Sequence, residues 1–390
     1  MHDTPSGWSA LEREMITIRQ HIHSHPELAY EEHLTSALVA GHLEQAGYCV
    51  HRGIAGTGVV ATLSCGSGSG RLGLRADMDA LPIEEKTGLP YASKLPGKMH
   101  ACGHDGHTAM LLAAATHLAQ ARSFNGTIVL IFQPAEEGDS GARRMLAEGL
   151  LERFPCDAIF AMHNMPGYPV GKLGFRSGAF MASVDDVEVT ITGCGGHGAM
   201  AHAAVDPIVV AAAVVMGLQT IVSRNVPPLE TGIITVGSIQ AGHANNVIPD
   251  TAQLRMSVRA LSPQVRVLLR SRITTLVQAT AVAYGAQADV QFDNPFPVLV
   301  NDEGMTALAR RVGRELLGEE GLIADMPCLT GSEDFAYFLE RCPGSYLIIG
   351  NGDGEGSCMV HNPGYDFNDA SLITGAKYWV KLAEAFLSAA

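Results

Sequence analysis

Apolar residues recur along the first half of the chain with two alternating spacings, one typical of helices and one typical of strands. Helical periodicity covers residues 8–23, 32–46 and 107–121. Short runs rich in β-branched and apolar residues lie at 58–63, 72–77, 127–134 and 157–163. The last two runs are almost continuously apolar, which is typical of strands buried on both faces. Strands that alternate with helices predict a three-layer α/β domain.

The hydrophobic pattern changes near residue 183. Residues 185–193 alternate between apolar and polar, as in a strand with one face exposed to solvent. The elements predicted next are a helix, two strands, a helix and a strand, at 204–224, 231–242, 252–261, 263–284 and 286–293. This is the ferredoxin-like order. We therefore predict a ferredoxin-like α+β domain at 183–297, inserted into a larger α/β domain formed by 1–182 and 298–390.

The length and charge of the chain agree with two domains and restrict its partners. A chain of 390 residues with 47% hydrophobic residues is long enough for two buried cores. Lys and Arg number 26 against 40 Asp and Glu, a formal net charge of -14. Such a surface repels nucleic acid and anionic membranes, so we expect neither as a partner. An anionic substrate would need a local positive site, such as an arginine or a metal ion.

The expected location is the cytoplasm. The first residues lack a basic segment followed by an apolar stretch, so we predict no signal peptide. The longest apolar run, 208–218, is too short to cross a bilayer. Eight cysteines are spread along the chain without a C-x-x-C pair, which is typical of reduced thiols.

The segment "MHACGHDGH" (99–107) concentrates side chains that bind metals. Cys102 and His104 are two residues apart, so on an extended segment both would face the same way. Thiolate and imidazole are ligands that suit zinc and its neighbours. Taken alone, however, a Cys-Gly-His on a glycine-rich loop more often has no metal to bind.

Other candidate ligands lie at the ends of predicted strands. "QPAEEG" places Glu136 and Glu137 where the strand 127–134 ends, and "AMHN" ends the next strand with His163. Strand ends are where α/β sheets place their sites. "RADMDALP" (75–82) closes a further strand, and "CMVHNPGYDF" (358–367) follows late in the chain. Their convergence predicts a metal site.

The motifs also carry a resemblance to a known family. "RADMDALP", "MHACGHDGH", "QPAEEG", "MHN", "GGHGA" and "NVIP" occur in the order and at about the spacings of the aminoacylase, hippurate hydrolase and indole-acetyl-amino-acid hydrolase family, a branch of the two-metal exopeptidases. The chain resembles this family over nearly its whole length. The resemblance implies a zinc-exopeptidase-like catalytic domain with an inserted ferredoxin-like lid, which agrees with the pattern described above.

The resemblance assigns roles to residues of the first domain. It implies two divalent metal ions, zinc above all, with manganese, cobalt or nickel as alternatives. The implied ligands are Cys102, shared by both ions, His104 and Glu137 on one ion, and His163 and His361 on the other. Glu136 would be the general base, which is consistent with a water made acidic between two metals. Asp79 would orient a ligand.

The same resemblance assigns roles in the inserted domain. His197 would donate a hydrogen bond to the developing oxyanion, across the interface of a homodimer or larger oligomer formed by the lid. Asn246 and Arg259 would bind the substrate carboxylate. The family usually has proline where this chain has Ala201, so the geometry of that loop is in question.

Three functions are compatible with these observations. The first is a metal-dependent amidohydrolase that cleaves small-molecule N-acyl amino acids, of the hippurate or N-acetyl type. The second is a dipeptidase or carboxypeptidase with the same dinuclear centre, and the third is a metal- or nucleotide-binding module without catalysis. Neither G-x-x-x-x-G-K-[ST] nor G-x-S-x-G is present, which counts against a P-loop nucleotide site and a serine hydrolase. Glu136 favours an enzyme, because a passive metal binder has no use for a base.

Overall fold

The computed structural model describes residues 7–138, 140–354 and 357–388. The chain divides into two compact units. The first unit comprises Met1–Gly178, Val300–Pro327 and Tyr337–Ala390, and the second comprises Ala179–Leu299 and Cys328–Ala336. The lid and dimerisation roles that we expect for 183–297 stay predictions.

The secondary structure follows the predicted alternation. The helices are α1 Trp8–His23, α2 His33–Gln45, α3 His104–Ala121, α4 Gly141–Ala147, α5 Leu150–Arg153, α6 Pro207–Arg224, α7 Pro263–Ala283, α8 Glu303–Leu317, α9 Ala336–Leu339 and α10 Leu372–Phe386. The strands are β1 Cys49–Ile54, β2 Gly58–Cys65, β3 Arg71–Asp77, β4 Gly126–Gln133, β5 Ala158–Pro166, β6 Leu173–Gly174, β7 Gly178–Met181, β8 Ser183–Thr192, β9 Gly196–His197, β10 Gly232–Ala241, β11 Val247–Ile248, β12 Thr251–Ala260, β13 Gln287–Phe296, β14 Leu299–Asn301, β15 Leu322–Ile323 and β16 Gly344–Gly352. Short 3₁₀ helices lie at Gly198–Ala203, Glu319–Gly321 and Asp369–Ser371.

An eight-stranded mixed sheet forms the centre of the first unit. Its strand order is β1-β2-β4-β3-β5-β16-β6-β15. The central strands β4, β3, β5 and β16 are parallel, while β1 and β2 add an antiparallel edge. Helices α1, α3, α8 and α10 share one hydrophobic core with this sheet. The predicted α/β class is confirmed. The parallel strands direct their carboxyl ends to one edge, where α/β folds place their sites.

The second unit has a different architecture. Its sheet order is β10-β12-β8-β13, and every neighbouring pair is antiparallel. Helices α6 and α7 bury their apolar side chains against this sheet. Because the chain order is β8-α6-β10-β12-α7-β13, the unit has the ferredoxin-like arrangement. Strand β8 alternates between buried and more exposed side chains, as expected for one covered face.

The two helices of the second unit begin with the same local chemistry. Asp206 accepts a hydrogen bond from the backbone N–H of Ile208 at 2.9 Å, and proline follows at the first helical position of α6. Ser262 caps α7 in the same way, again before a proline. A polar cap followed by proline satisfies the free N–H groups and presets the backbone angle, so it fixes where each helix starts.

Helix α6 has two apolar faces. Although the uninterrupted apolar run 208–218 is too short to cross a membrane, the whole of α6 is long and apolar enough by length and composition, and it is the one such helix within the described residues. Its Val214 and Leu218 are fully buried in the second unit. Ile208, Val209 and Met216 are between 45% and 72% exposed. The helix therefore packs on the sheet with one face and presents further apolar surface on another.

Candidate metal centre

The loop of candidate ligands turns sharply at Gly103. The glycine has φ 92° and ψ 14°, and helix α3 begins at the next residue, His104. The expectation that Cys102 and His104 share a face of an extended segment is therefore wrong. The left-handed turn, which glycine adopts without a Cβ clash, brings the two side chains together instead. The predicted helix 107–121 likewise starts three residues earlier than expected.

Cys102, just before α3, faces His163, which lies within β5 because that strand continues to Pro166 instead of ending at His163. Sγ of Cys102 lies 3.3 Å from Nε2 of His163. Nδ1 of His163 lies 2.6 Å from the carbonyl oxygen of Asn164, which can only accept a hydrogen bond. Nδ1 therefore carries the proton, and Nε2 presents its lone pair towards the thiol. This is the tautomer that a metal ligand needs.

Glu137 lies between two histidines. Its Oε1 is 3.1 Å from Nε2 of His361 and 3.9 Å from Nε2 of His104. His361 has φ 64°, a left-handed conformation unusual for a non-glycine residue, and its N–H donates to the carbonyl of Ala101 at 2.7 Å. Backbone strain of this kind is concentrated at functional sites.

The structure brings all five predicted ligands into overlapping groups. In each group the ligand atoms lie within 4.8 Å of one another: Cys102 with His104 and His163, Cys102 with Glu137 and His361, and His104 with Glu136 and Glu137. Cys102 belongs to two of these groups, as expected of a shared ligand. The pairing of His163 with His361 on one ion stays a prediction.

The donor atoms of the site fit a metal centre. Both ring nitrogens of His104, Oδ1 of Asp79 and Oε1 of Glu137 are buried without a hydrogen-bond partner in the structure. An unsatisfied buried polar atom destabilises a fold by about 1–3 kcal/mol, so native proteins rarely keep several in one place. A divalent cation would satisfy one ring nitrogen of His104 and Oε1 of Glu137, while Nδ1 of His104 faces Oδ1 of Asp79 at 3.3 Å. The mixture of thiolate, imidazole and carboxylate suits zinc and neighbouring metals.

The electrostatics of the site point the same way. Burial and the charges of Glu137 and Glu136 raise the pKa of Cys102 well above its usual value. Burial alone would lower the pKa of His104, but the neighbouring Asp77, Asp79 and Glu137 carboxylates raise it to about 10. Without a bound cation, the surrounding residues therefore favour the neutral thiol of Cys102 and the charged imidazolium of His104. A bound cation reverses both preferences, so metal binding releases protons and strengthens as the pH rises.

A network of buried side chains that we did not predict supports the ligands. Nδ1 of His107 lies 2.6 Å from Asp77, and its Nε2 accepts from the backbone N–H of Asn164 at 3.0 Å. The Asn164 side chain donates to the carbonyl oxygen of Cys102 at 2.6 Å and accepts from the hydroxyl of Tyr365. The available signals were weak: a histidine one helical turn after His104, and an asparagine after a strand-end histidine.

Asp79 contacts both His104 and the turn that carries Glu136 and Glu137, which we call the glutamate turn. Its Oδ1 lies 3.3 Å from Nδ1 of His104, outside hydrogen-bond geometry. Its Oδ2 accepts from the backbone N–H of Glu137 at 2.9 Å. This position supports the expected role of orienting a ligand.

The structure brings two of the three candidate residues of the second unit together. His197 lies on β9 opposite Val247 of β11, and the N–H of Gly198 donates to the carbonyl of Asn246 at 2.8 Å. Nδ1 of His197 accepts from the backbone N–H of Ala199 at 3.1 Å. Both candidates are therefore held by the two-stranded sheet of β9 and β11, whose strands are separated in sequence by α6 and β10.

Arg259 lies elsewhere in the second unit. It is eight residues along β12 from Thr251, about 26 Å at the rise of a strand. Its Nη1 donates to the carbonyl of Thr330 at 2.9 Å. Thr251 pairs with Thr192 at the end of β8, and it is after this end of β8 that the chain continues to β9 and His197. Ala201, where a proline was expected, lies in the exposed 3₁₀ helix beside His197.

Comparison with known proteins identifies the family. Residues 73–385 match Peptidase family M20/M25/M40. The chain belongs to this family. Hippurate hydrolase of Campylobacter jejuni is 43% identical over 377 residues, which cover 97% of both chains. N-acetyl-L-cysteine deacetylase of Bacillus subtilis is 40% identical and covers 98% of this chain and 90% of its own. IAA-amino acid hydrolase ILR1-like 2 of Arabidopsis thaliana is 40% identical, covering 96% of this chain and 85% of its own.

A solved structure supports the M20 fold directly. The YXEP protein of Bacillus subtilis, described as a dinuclear metal binding peptidase from the M20 family, superposes with a TM-score of 0.85. It is 34% identical and covers 97% of this chain and 99% of its own. The predicted family and the prediction of an enzyme are confirmed: the chain is an amidohydrolase with the dinuclear metal-binding fold of the M20 family.

We predict that Gly103→Ala weakens metal binding. A Cβ at this position would lie 2.1 Å from Nδ2 of Asn164 and 2.6 Å from the hydroxyl of Tyr365, in addition to the left-handed strain. The support of the Cys102 loop would therefore shift. We expect the dissociation constants for zinc or manganese to rise roughly 10- to 100-fold, as for other residues that support ligands. Equilibrium dialysis with metal analysis measures this.

Gly97→Ala is the matched control. Gly97 also has a left-handed φ of 74°, but no described atom lies within 4 Å of the position of its Cβ. This variant carries the backbone strain, about 1 kcal/mol, without the clash. Equal metal affinity in the two variants would show that the contact with Asn164 and Tyr365 does not support the site.

Proposed function

We propose that this M20 enzyme hydrolyses the amide bond of N-acyl amino acids, of the hippurate or N-acetyl amino acid type, at a centre of two divalent metal ions. The observation that carries the proposal is the adjacent pair Glu136 and Glu137. The turn that contains them places both carboxylates within 4.8 Å of a nitrogen of His104. The activities named for the relatives support the substrate class.

The ligands of the two ions would be Cys102, shared between them, with His104, Glu137, His163 and His361. Zinc suits this set best, while manganese, cobalt and nickel remain alternatives because of the carboxylate. When bound, such ions lower the pKa of water towards 7 and polarise a carbonyl group. His104 begins α3, His163 lies within β5, Glu137 follows the end of β4, and Cys102 and His361 lie in loops.

Glu136 would carry the proton. Its side chain is 7% exposed, so the carboxylate is largely shielded from bulk water. It would accept a proton from the attacking water at one carboxylate oxygen and deliver it to the leaving amide nitrogen. Glu137 has its Oε1 directed to two histidines, and it would therefore serve as the ligand. Adjacent residues of a turn diverge, so the two carboxylates take different roles.

His197 would stabilise the oxyanion of the tetrahedral intermediate. Its Nδ1 accepts a hydrogen bond from Ala199, so in the neutral ring Nε2 carries the proton and is the donor. Asn246, next to β11 beside His197, and Arg259 would bind the substrate carboxylate. Because Arg259 lies towards the other end of β12, we propose that His197 and Asn246 act on the site of a partner copy, in a homodimer.

The second unit offers a surface for such a dimer. Strand β10 is at the edge of its sheet, and Ile239 on it is 54% exposed. The exposed apolar residues of α6 lie on the neighbouring helix. An unpaired strand edge beside an apolar helix face favours association with a second copy.

The proposed location is the cytoplasm. All eight cysteines are free in the structure, which is typical of a reducing compartment. With a net charge of -14, nucleic acid and membrane surfaces are not proposed as partners.

We predict two divalent ions per chain in the reconstituted protein. Cys102→Ala should lose both ions together, because the shared ligand serves each. Cys49→Ala, which removes an exposed thiol, is the control and should keep both. Metal analysis after dialysis against zinc, manganese, cobalt or nickel gives the count. One ion in the parent protein, or one ion left in Cys102→Ala, would contradict a shared centre.

The decisive activity test compares Glu136→Gln with Glu137→Gln. Metal-loaded parent protein should release the amino acid from hippurate and N-acetyl amino acids faster than it cleaves dipeptides. Glu136→Gln should retain its metals and lose at least about 100-fold in kcat, because the proton carrier is gone. Glu137→Gln should bind metal more weakly, and excess metal should partly restore its activity.

Two results would reject these assignments. Normal turnover by Glu136→Gln would remove its role as proton carrier. Preference of the parent enzyme for dipeptides over N-acyl amino acids would favour the dipeptidase alternative.

We predict that two inactive variants recover enzymatic activity when their subunits are mixed. His197→Ala alone should lower kcat by roughly 10²–10³, the effect of losing an oxyanion donor, with metal content unchanged. When subunits of His197→Ala and Glu136→Gln are mixed and exchanged, heterodimers contain one complete site, so activity should return to about a quarter of the parent value. Absence of recovery, with subunit exchange verified by native mass spectrometry, would place His197 outside the partner's site.

A further inference from the structure

The turn that carries Glu136 and Glu137 contains an unfavourable backbone conformation. Ala135 has φ 54°, in the left-handed region that L-residues other than glycine rarely adopt, and it is completely buried. The N–H of Gly141 donates to the carbonyl of Ala135 at 2.9 Å. A residue in this conformation persists only where its surroundings hold it.

Glu32 supplies one of the contacts that hold the turn. It is fully buried, 103 residues away in sequence, and it immediately precedes helix α2. Its Oε1 accepts from the backbone N–H of Ala135 at 2.9 Å, and its Oε2 accepts from the hydroxyl of Thr57 at 2.5 Å. Burial raises the pKa of this carboxyl group, so its position is unfavourable for the charged form. The reaction described above makes no use of it.

The backbone is thus held on both sides of Glu136. Glu32 binds the N–H of the preceding residue, Ala135, and Asp79 binds the N–H of the following residue, Glu137. Asp79 also faces His104, so its contact belongs to the metal centre. The hydrogen bond made by Glu32 touches no candidate ligand, and it reaches Glu136 through the backbone of the turn.

We propose that Glu32 is a positioning residue for Glu136: by accepting the Ala135 N–H, it fixes the left-handed turn that aims the proton-carrying carboxylate. This proposal rests on the proposed function for its kinetic consequence, while its structural consequence is independent of any activity. Loss of the contact frees the turn to relax towards an ordinary backbone conformation. A displacement of about 1 Å in a catalytic group can lower turnover 100-fold.

Glu27→Ala is the matched control for Glu32→Ala. Glu27 is also a buried glutamate beside α2, and its two oxygens accept from the N–H groups of Leu34 and Thr35, each at 2.9 Å. Its side chain has no described hydrogen bond to the glutamate turn. Removing it therefore reports the general loss of stability when the start of α2 loses a buried acceptor.

We expect metal-loaded Glu32→Ala to lose roughly 10- to 100-fold in kcat relative to Glu27→Ala, with KM within about twofold and both variants binding the same number of metal ions. Glu32→Gln should recover most of kcat. Its amide oxygen can accept from Ala135 while its amide nitrogen donates to Thr57. Equal kcat in Glu32→Ala and Glu27→Ala would overturn the proposal.

Glu32→Asp provides a second test of the proposal if Glu32→Ala does not fold. The shorter side chain keeps the carboxyl group but cannot reach Ala135 and Thr57 together, so we expect the same loss of kcat at unchanged KM. Parent-like kcat in this variant would overturn the proposal.

Hydrogen exchange separates this proposal from the proposed function. Peptides that cover residues 134–138 should exchange faster in Glu32→Ala than in the parent or in Glu27→Ala, even if the parent cleaves no N-acyl amino acid. Unchanged exchange in these peptides would overturn the role of Glu32, whatever the substrate of the enzyme is.

Discussion

The first unit is organised around the buried negative charge near Cys102. Asp77, Asp79 and Glu136 are each at most 7% exposed, and Cys102 is itself buried. Arg75 pairs with Asp77 at 2.7 Å, which compensates one of these acids. Taking charges out of water is costly unless opposite charge lies close by. The site therefore takes up protons or cations, and the same acids that would destabilise the empty fold give a metal centre its affinity.

The candidate metal ligands and the candidate base could be predicted from the sequence, but the residues that position them could not. Cys102 and His104 stand out because they are concentrated in one short loop, and the glutamate pair stands out because it follows a strand end. Glu32 reaches Ala135 over 103 residues, and Tyr365 reaches Asn164 over 201 residues. Such contacts depend on the packing of the whole sheet, and no local pattern of a single sequence reports them.

The secondary structure could likewise be predicted where the local sequence determines it, and was missed where the local pattern is weak or misleading. The elements of the second unit lie within a few residues of their predicted positions, because each helix has its own cap and each strand its own alternation. Strand β1, Cys49–Ile54, escaped prediction because it is an edge strand with few buried side chains. The start of α3 was misplaced because Gly103, read as part of an extended loop, adopts the left-handed turn that begins the helix.

The pairing of β16 with β5 constrains the order in which the enzyme becomes complete. These two parallel strands lie side by side in the sheet, yet the whole second unit is encoded between them. At 5–20 residues per second, a ribosome needs roughly 10–40 s to make the intervening chain, and during this time β5 has an open edge. His361 is encoded later still, after β16. A metal ion held by His361, as proposed above, can therefore bind only after β16 has been made, and until then β5 presents an unpaired strand edge.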